Sequence, residues 1–243
     1  MRLLIIRHGD PDYEKDSLTE KGWREAELLS ERISKLNVKQ FYVSVLGRAR
    51  DTASLTLKKM NRTAVECGWL REFPPLINRP DMKGKRKSIV WDWLPEDWMA
   101  VEEYSLQDRW WDTEVMREAE VGKVYAEVIR NFDAMLAKHG YVRDGKFYRA
   151  EQPNEDTIVL FCHFGLECVL LSHLMNISPM ILWHHTCAAP TSVTTVYTEE
   201  RRPGKAIFRI QSFGDLSHLY AAGEEPSFAA RFCETYDSEG ERR

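Results

Sequence analysis

No apolar run in this 243-residue chain approaches the ~20 residues that a membrane-spanning helix needs. The first run, Leu3 to Ile6, is also too short for a signal-peptide core, and Arg7 interrupts it. Cysteine is scarce and unpatterned: Cys67, Cys162, Cys168, Cys187 and Cys233 are odd in number and include no CxxC pair. That argues against a disulfide framework or a zinc site, and reduced thiols are expected. Charge of one sign is not in excess. A net charge of -4 gives no reason to expect binding to nucleic acid or to an anionic membrane. These absences lead to the expectation of a cytoplasmic protein with no nucleic-acid or membrane partner. They leave its oligomeric state open.

What is present fits a globular enzyme-sized chain. Hydrophobic residues make up 43% and charged residues 30%, ordinary proportions for a packed domain. The length suits one large domain, or one domain with an insertion. Arg2 to Ile6 reads as a buried strand, because its apolar residues do not alternate with polar ones. Ala26, Leu29, Ile33 and Leu36 recur at helical spacing, predicting a helix over 20–36 with Thr19 as its cap. Phe41 to Ser44 reads as a strand and Arg48 to about Lys59 as a helix. A new segment begins near Cys67 to Leu70. A long amphipathic helix follows around Val121, Val124, Val128, Phe132 and Met135. The spacing then gives a strand over Thr157 to Cys162 and a helix over Leu166 to Met175. Two strands, Ser192 to Thr198 and Ala206 to Ser212, are joined by the polar turn from Glu199 to Lys205. This rhythm belongs to an α/β sheet with crossover helices.

Residues 73–117 break the rhythm. They are rich in Pro, Trp and basic residues, with Trp91, Trp93, Trp98, Trp110 and Trp111 together. So many large aromatics need a surface to bury against, so this is an insertion packed on the domain and not a linker. Only residues 237–243 read as a free tail. The whole chain is therefore expected to be one domain, 1–243.

Ligands of parallel α/β sheets bind beyond the carboxyl ends of the strands. Three strand exits are informative. The first leads into Arg7-His8-Gly9, the second into "SVLGRARDTA" with Arg48 opening a helix, and a later one into His163-Phe164-Gly165. Two histidines and two arginines thus emerge at one sheet edge. Helix N-termini at Gly47 and Gly165 would add backbone N–H donors. Such a pocket suits a phosphate-sized anion.

The residues "LLIIRHG", "LTEKG" at 18–22, "SVLGRARDTA" at 44–53, "WLRE" at 69–72 and "FCHFG" at 161–165 occur in the order found in one family. The chain resembles the histidine phosphatase superfamily, which includes the cofactor-dependent phosphoglycerate mutases. The resemblance implies a three-layer α/β/α sandwich with a mostly parallel central sheet, phosphoglycerate mutase-like, here carrying an inserted cap. It implies His8 as the nucleophile that takes a phosphoryl group. Arg7, Arg48 and His163 would hold the phosphate oxygens, and Glu72 would be the general acid. Gly9, Ser44 and Gly165 fall in the matched motifs and would line the phosphate. No cofactor and no metal is implied, because fixed cations can stabilise a transferring phosphoryl group.

The implied activity is hydrolysis of a small phosphomonoester through a phosphohistidine. A mutase and a non-catalytic phosphate-binding protein are the alternatives. The Arg-rich stretch that the family's mutases carry after the acid is not clearly present, which favours the phosphatase. Asp10 and Glu167 are further candidates for the acid. If the insertion is a lid, Arg86 in "KGKRK" would meet a second anionic group, and Trp91 or Trp93 would stack on a ring. The bland reading of that basic run is a solvated loop. Cys162 reads as a core residue, His184-His185 as lacking a third metal ligand, and His218 as a packing or capping residue near the pocket.

Overall fold

The computed structural model describes residues 1–80, 87–91 and 93–227. β1 (Arg2–Arg7) is followed by a short ladder of β2 (Pro11–Asp12) with β3 (Ser17–Leu18). Next come α1 (Glu20–Ile33), β4 (Val38–Ser44), α2 (Gly47–Met60) and β5 (Val65–Cys67). The insertion holds a second ladder, β6 (Leu76–Ile77) with β7 (Ser88–Ile89), and the short helices α3 (Pro95–Met99) and α4 (Glu114–Glu118). Then follow α5 (Val121–Lys138), β8 (Tyr141–Asp144), β9 (Phe147–Ala150), β10 (Thr157–Cys162) and α6 (Phe164–Met175). The described chain closes with α7 (Pro179–His185), β11 (Val193–Arg202), β12 (Lys205–Asp215) and α8 (Ser217–Tyr220).

Eight strands form the central sheet in the order β5-β4-β10-β1-β11-β12-β9-β8. Its core, β5-β4-β10-β1, is parallel, and the remaining strands extend it antiparallel. The layers follow from side-chain alternation along β1. Leu4 and Ile6 enter one cluster with Leu29, Ile33, Ala49 and Ala53 from α1 and α2. Leu3 and Ile5 enter the opposite cluster with residues of α5 and α6. β1 therefore has helices on both sides, which explains its unbroken apolar run.

Several boundaries differ from the sequence reading. The hydroxyl of Thr19 does accept from the Gly22 N–H (3.0 Å), but α1 ends at Ile33, before Leu36. β11 and β12 are longer than predicted and pair as far as Arg202 with Lys205, so the turn is shorter. The β8–β9 hairpin is absent from the sequence reading. Its signal was there: two short segments containing Tyr, Val and Phe flank Gly145-Lys146, and Gly145 takes φ +61° in the turn. The segment 237–243 lies outside the described residues.

The insertion shares a core with the sheet domain. Trp110 is fully buried and meets Trp183 of α7 edge-on (5.5 Å between ring centres) and Tyr125 of α5 likewise (5.2 Å). Trp98 stacks on His184 at 4.9 Å. Trp93 is buried, and its indole N–H donates to the Val90 carbonyl (2.9 Å). Trp93 is therefore a packing residue and offers no face to a ligand, against the expectation that it could stack on one.

Trp110→Ala should cost about 3–5 kcal/mol in denaturant unfolding, because it opens a large cavity between the insertion, α5 and α7. An unchanged unfolding midpoint would mean that the insertion does not stabilise the sheet domain.

Candidate active site

Register brings the site together. Arg7 at the end of β1 lies opposite Cys162 at the end of β10, and Phe161 lies opposite Val43 of β4. His8, His163 and Ser44, each one step further, emerge side by side. The rings of His8 and His163 are 5.0 Å apart, and the Ser44 hydroxyl is 2.8 Å from His163 Nε2. All three are buried, as is Arg7 (7% exposed).

The S-x-L-x-R-A-x-x-T-A pattern has a physical account, residue by residue. Ser44 contacts His163, and Arg48 sits in the first turn of α2. Ala49 and Ala53 pack on the sheet. Thr52 accepts from the Gly9 N–H (2.9 Å) and donates to the Arg48 carbonyl (2.7 Å), tying the loop after β1 to α2.

The proton on His8 can be assigned. Its Nδ1 lies 2.7 Å from the Gly9 carbonyl, which can only accept. Nδ1 therefore carries the hydrogen, and Nε2 keeps its lone pair. Burial first, and then the neighbouring Arg7 cation, hold His8 well below the ordinary histidine range. His163 is depressed in the same direction by burial, His8 and the arginines. The Ser44 hydroxyl already accepts from the Leu46 N–H (3.3 Å), so its hydrogen is available to His163 Nε2. His163 Nδ1 has no partner among the described residues.

Two acidic side chains lie at the helix N-termini beside the site. Glu72 caps α6, accepting from the N–H groups of Leu166 (3.0 Å), Gly165 (3.4 Å) and Phe73 (2.9 Å). Burial raises its pKa against these hydrogen bonds. Asp16 does the same at α2: its carboxylate accepts from the Gly47 N–H and from Arg48 Nη1, both at 2.7 Å. Both helix N-termini expected to offer N–H groups to an anion are therefore already capped by carboxylates. Asp16 had no signal in the sequence, because its contact depends on the turn between β2 and β3.

The remaining candidates sort as follows. Gly165 lies close against Glu72 and Trp91; an added Cβ would come within 2.8 Å of Glu72 Oε1 and 2.7 Å of Trp91 Nε1. Trp91 thus stands beside the Glu72 carboxyl, edge-on to Phe164. Gly9 offers no free N–H, since Thr52 takes it; its carbonyl instead fixes His8. Asp10 accepts from the Thr19 hydroxyl (2.7 Å) and belongs to the start of α1. Tyr13 is exposed and lies under the Arg48 guanidinium (5.5 Å). Arg86 lies outside the described residues. His184 accepts from the Trp93 N–H (2.9 Å), and its Nδ1 lies 2.6 Å from the Met180 carbonyl, so its ring is held by packing. Cys162 is in the core. His218 lies behind the site, on Thr191 (3.1 Å), whose N–H donates to the His8 carbonyl (3.1 Å).

Residues 3–210 match the profile of the Histidine phosphatase superfamily (branch 1). The chain belongs to that superfamily. Among curated relatives, the mitochondrial serine/threonine-protein phosphatase Pgam5 of Drosophila melanogaster is 30% identical over 104 residues, 39% of this chain and 33% of that protein. The 2,3-bisphosphoglycerate-dependent phosphoglycerate mutase of Thermoplasma acidophilum is 33% identical over 72 residues, 26% of this chain and 36% of that protein. The chain thus matches about a third of the length of these relatives. Solved histidine phosphatase-type structures share the fold. A phosphoserine phosphatase of Entamoeba histolytica, crystallised with phosphoserine, has a TM-score of 0.56 at 19% identity, covering 90% of this chain and 98% of its own. The alpha-ribazole phosphatase of Shigella flexneri has a TM-score of 0.52 at 20% identity, covering 86% and 95%.

In a 15N titration, His8 and His163 should each keep a single ring proton through the ordinary histidine pKa of about 6.5, with that of His8 on Nδ1. A second proton on either ring at about 6.5 would contradict the burial argument.

Proposed function

We propose that the protein hydrolyses a small phosphomonoester through a phosphohistidine on His8, without a metal. One observation carries this reading. Around His8, buried nitrogens have no hydrogen-bond partner among the described residues: Arg7 Nε, Arg48 Nε and His163 Nδ1, with Trp91 Nε1 beside Glu72. Buried polar groups are normally paired, so a cluster of orphaned donors marks a place for an acceptor. A phosphoryl group supplies several charged acceptor oxygens at once.

The chemistry follows from the geometry. The neutral His8 Nε2 attacks phosphorus as the ester P–O bond breaks. Arg7, Arg48 and His163 stabilise the charge on the phosphoryl oxygens. Glu72, whose pKa is raised, gives its proton to the leaving oxygen. The resulting carboxylate then takes a proton from water. That water attacks phosphorus, the P–N bond breaks, and its electron pair returns to Nε2. Inorganic phosphate leaves. A mutase would instead return the phosphoryl group to a second substrate oxygen. After Glu72 this chain continues Phe73-Pro74-Pro75, with Phe73 buried, and no cluster of cations follows directly. This favours hydrolysis.

Release of inorganic phosphate from a panel of phosphomonoesters, with chelator present, tests the reading. Wild type should turn over at least one ester, and His8→Ala should turn over none. Glu72→Gln should lose about 10²- to 10⁴-fold in kcat for esters with poor leaving groups. Release that persists in His8→Ala would overturn the phosphohistidine route. Isomerisation of a substrate with no phosphate released would favour the mutase.

A further inference from the structure

Glu25 is a buried acid in α1 that takes no part in the proposed reaction. It is 2% exposed. Each of its carboxyl oxygens accepts from a backbone N–H outside its own helix: Oε2 from Asp10 (3.1 Å) and Oε1 from Ser227 (2.9 Å). Burying a carboxyl group is costly unless donors meet it, and these two N–H groups supply that compensation. The partner that bears on the site is Asp10, two residues after His8.

The Asp10 N–H belongs to the same peptide unit as the Gly9 carbonyl. That carbonyl lies 2.7 Å from His8 Nδ1 and takes its proton. A peptide unit is planar and trans, so its N–H and its C=O point in opposite directions and turn together. Glu25 therefore holds one end of the plane whose other end holds the His8 ring. α1 also lies directly against this peptide. A Cβ added to Gly22 would come within 2.9 Å of the Asp10 nitrogen, and one added to Gly9 within 2.9 Å of the Gly22 carbonyl oxygen. The neighbouring groups are anchored too: the Gly9 N–H donates to Thr52 (2.9 Å), and the Asp10 carbonyl accepts from the Thr19 N–H (3.0 Å). Those bonds act on the peptides before and after. The Glu25 bond acts on the Gly9–Asp10 peptide itself and so sets its rotation.

We propose that Glu25 is a positioning residue for His8: by taking the Asp10 N–H it keeps the Gly9 carbonyl on Nδ1 and the lone pair on Nε2. This rests on the reading of His8 as the nucleophile. Without Glu25 the Asp10 N–H loses its acceptor, and turning the peptide towards another one relieves that cost. The same turn takes the Gly9 carbonyl off the ring, which then loses its preference for Nδ1–H. Glu25 itself touches no substrate and transfers no proton.

The test is Glu25→Leu, which fills similar space and removes both acceptors. Ring 15N spectra of His8, recorded above the ordinary histidine pKa of about 6.5, should show Nδ1–H alone in wild type. In the variant the Nε2–H tautomer should appear, at about a tenth of the protein or more, for the loss of one hydrogen bond's orienting effect. The kcat for a phosphomonoester should fall about tenfold, as a misdirected nucleophile requires, while inorganic phosphate still binds. A folded Glu25→Leu whose His8 keeps only Nδ1–H overturns the proposal, whatever its activity. If the tautomer moves but neither protein turns over any ester, the hydrolysis reading fails and the positioning of the ring stands. Wild type supplies a second test that needs no variant. Scalar coupling across the hydrogen bond from the Asp10 amide nitrogen to the Glu25 carboxyl carbon should be resolved. Its absence, where couplings across other hydrogen bonds are resolved in the same spectrum, overturns the proposal.

Discussion

The register of three parallel strands is the constraint from which the site follows. β4, β10 and β1 are neighbours, and hydrogen bonding fixes their relative heights to the residue. A slip of one residue would turn the whole apolar pattern of a strand to its opposite face. The two clusters on either side of the sheet forbid that, because Leu3 and Ile5 fill one and Leu4 and Ile6 the other. Core packing, far from the pocket, therefore determines that His8 and His163 leave the sheet at one level, with Ser44 one residue behind them.

The pocket is held open to an anion by the way its charges are distributed. Two carboxylates, Asp16 and Glu72, cap the two helix N-termini that flank it. Both carboxyl groups meet backbone donors at helix N-termini; for Glu72, burial outweighs those hydrogen bonds and raises its pKa. The arginines are left under-compensated. Among the described residues Arg7 donates only to a backbone carbonyl, while Arg48 shares Asp16 through one nitrogen. The histidines stay neutral, because burial and these cations disfavour a further positive charge. Neutral imidazoles beside two arginines are thus consequences of the same burial.

The insertion joins these two aspects. Its tryptophans extend the core over α5 and α7, and Trp91 brings an indole N–H to the wall beside Glu72. Gly165 is what permits that approach, since a side chain there would collide with both. A packing element thereby becomes part of the site without contributing a charge.

Much of this was legible in the sequence for identifiable reasons. The strands leading to Arg7 and His163 are continuous apolar runs, and α1, α2 and α5 carry helical spacing, so local physics alone placed them. The site cations sit in motifs at strand exits, where the topology of an α/β sheet already gathers ligands. The β8–β9 hairpin was also readable from Gly145 set between two short segments of strand-forming residues. Tertiary structure alone decided the rest. Asp16 reaches Arg48 through a turn, and no spacing in the chain encodes that contact. The tautomer of His8 depends on which carbonyl its ring meets. Sequence patterns carry the periodicities of single elements, whereas the charge state of a buried group is a sum over neighbours that are distant in the chain.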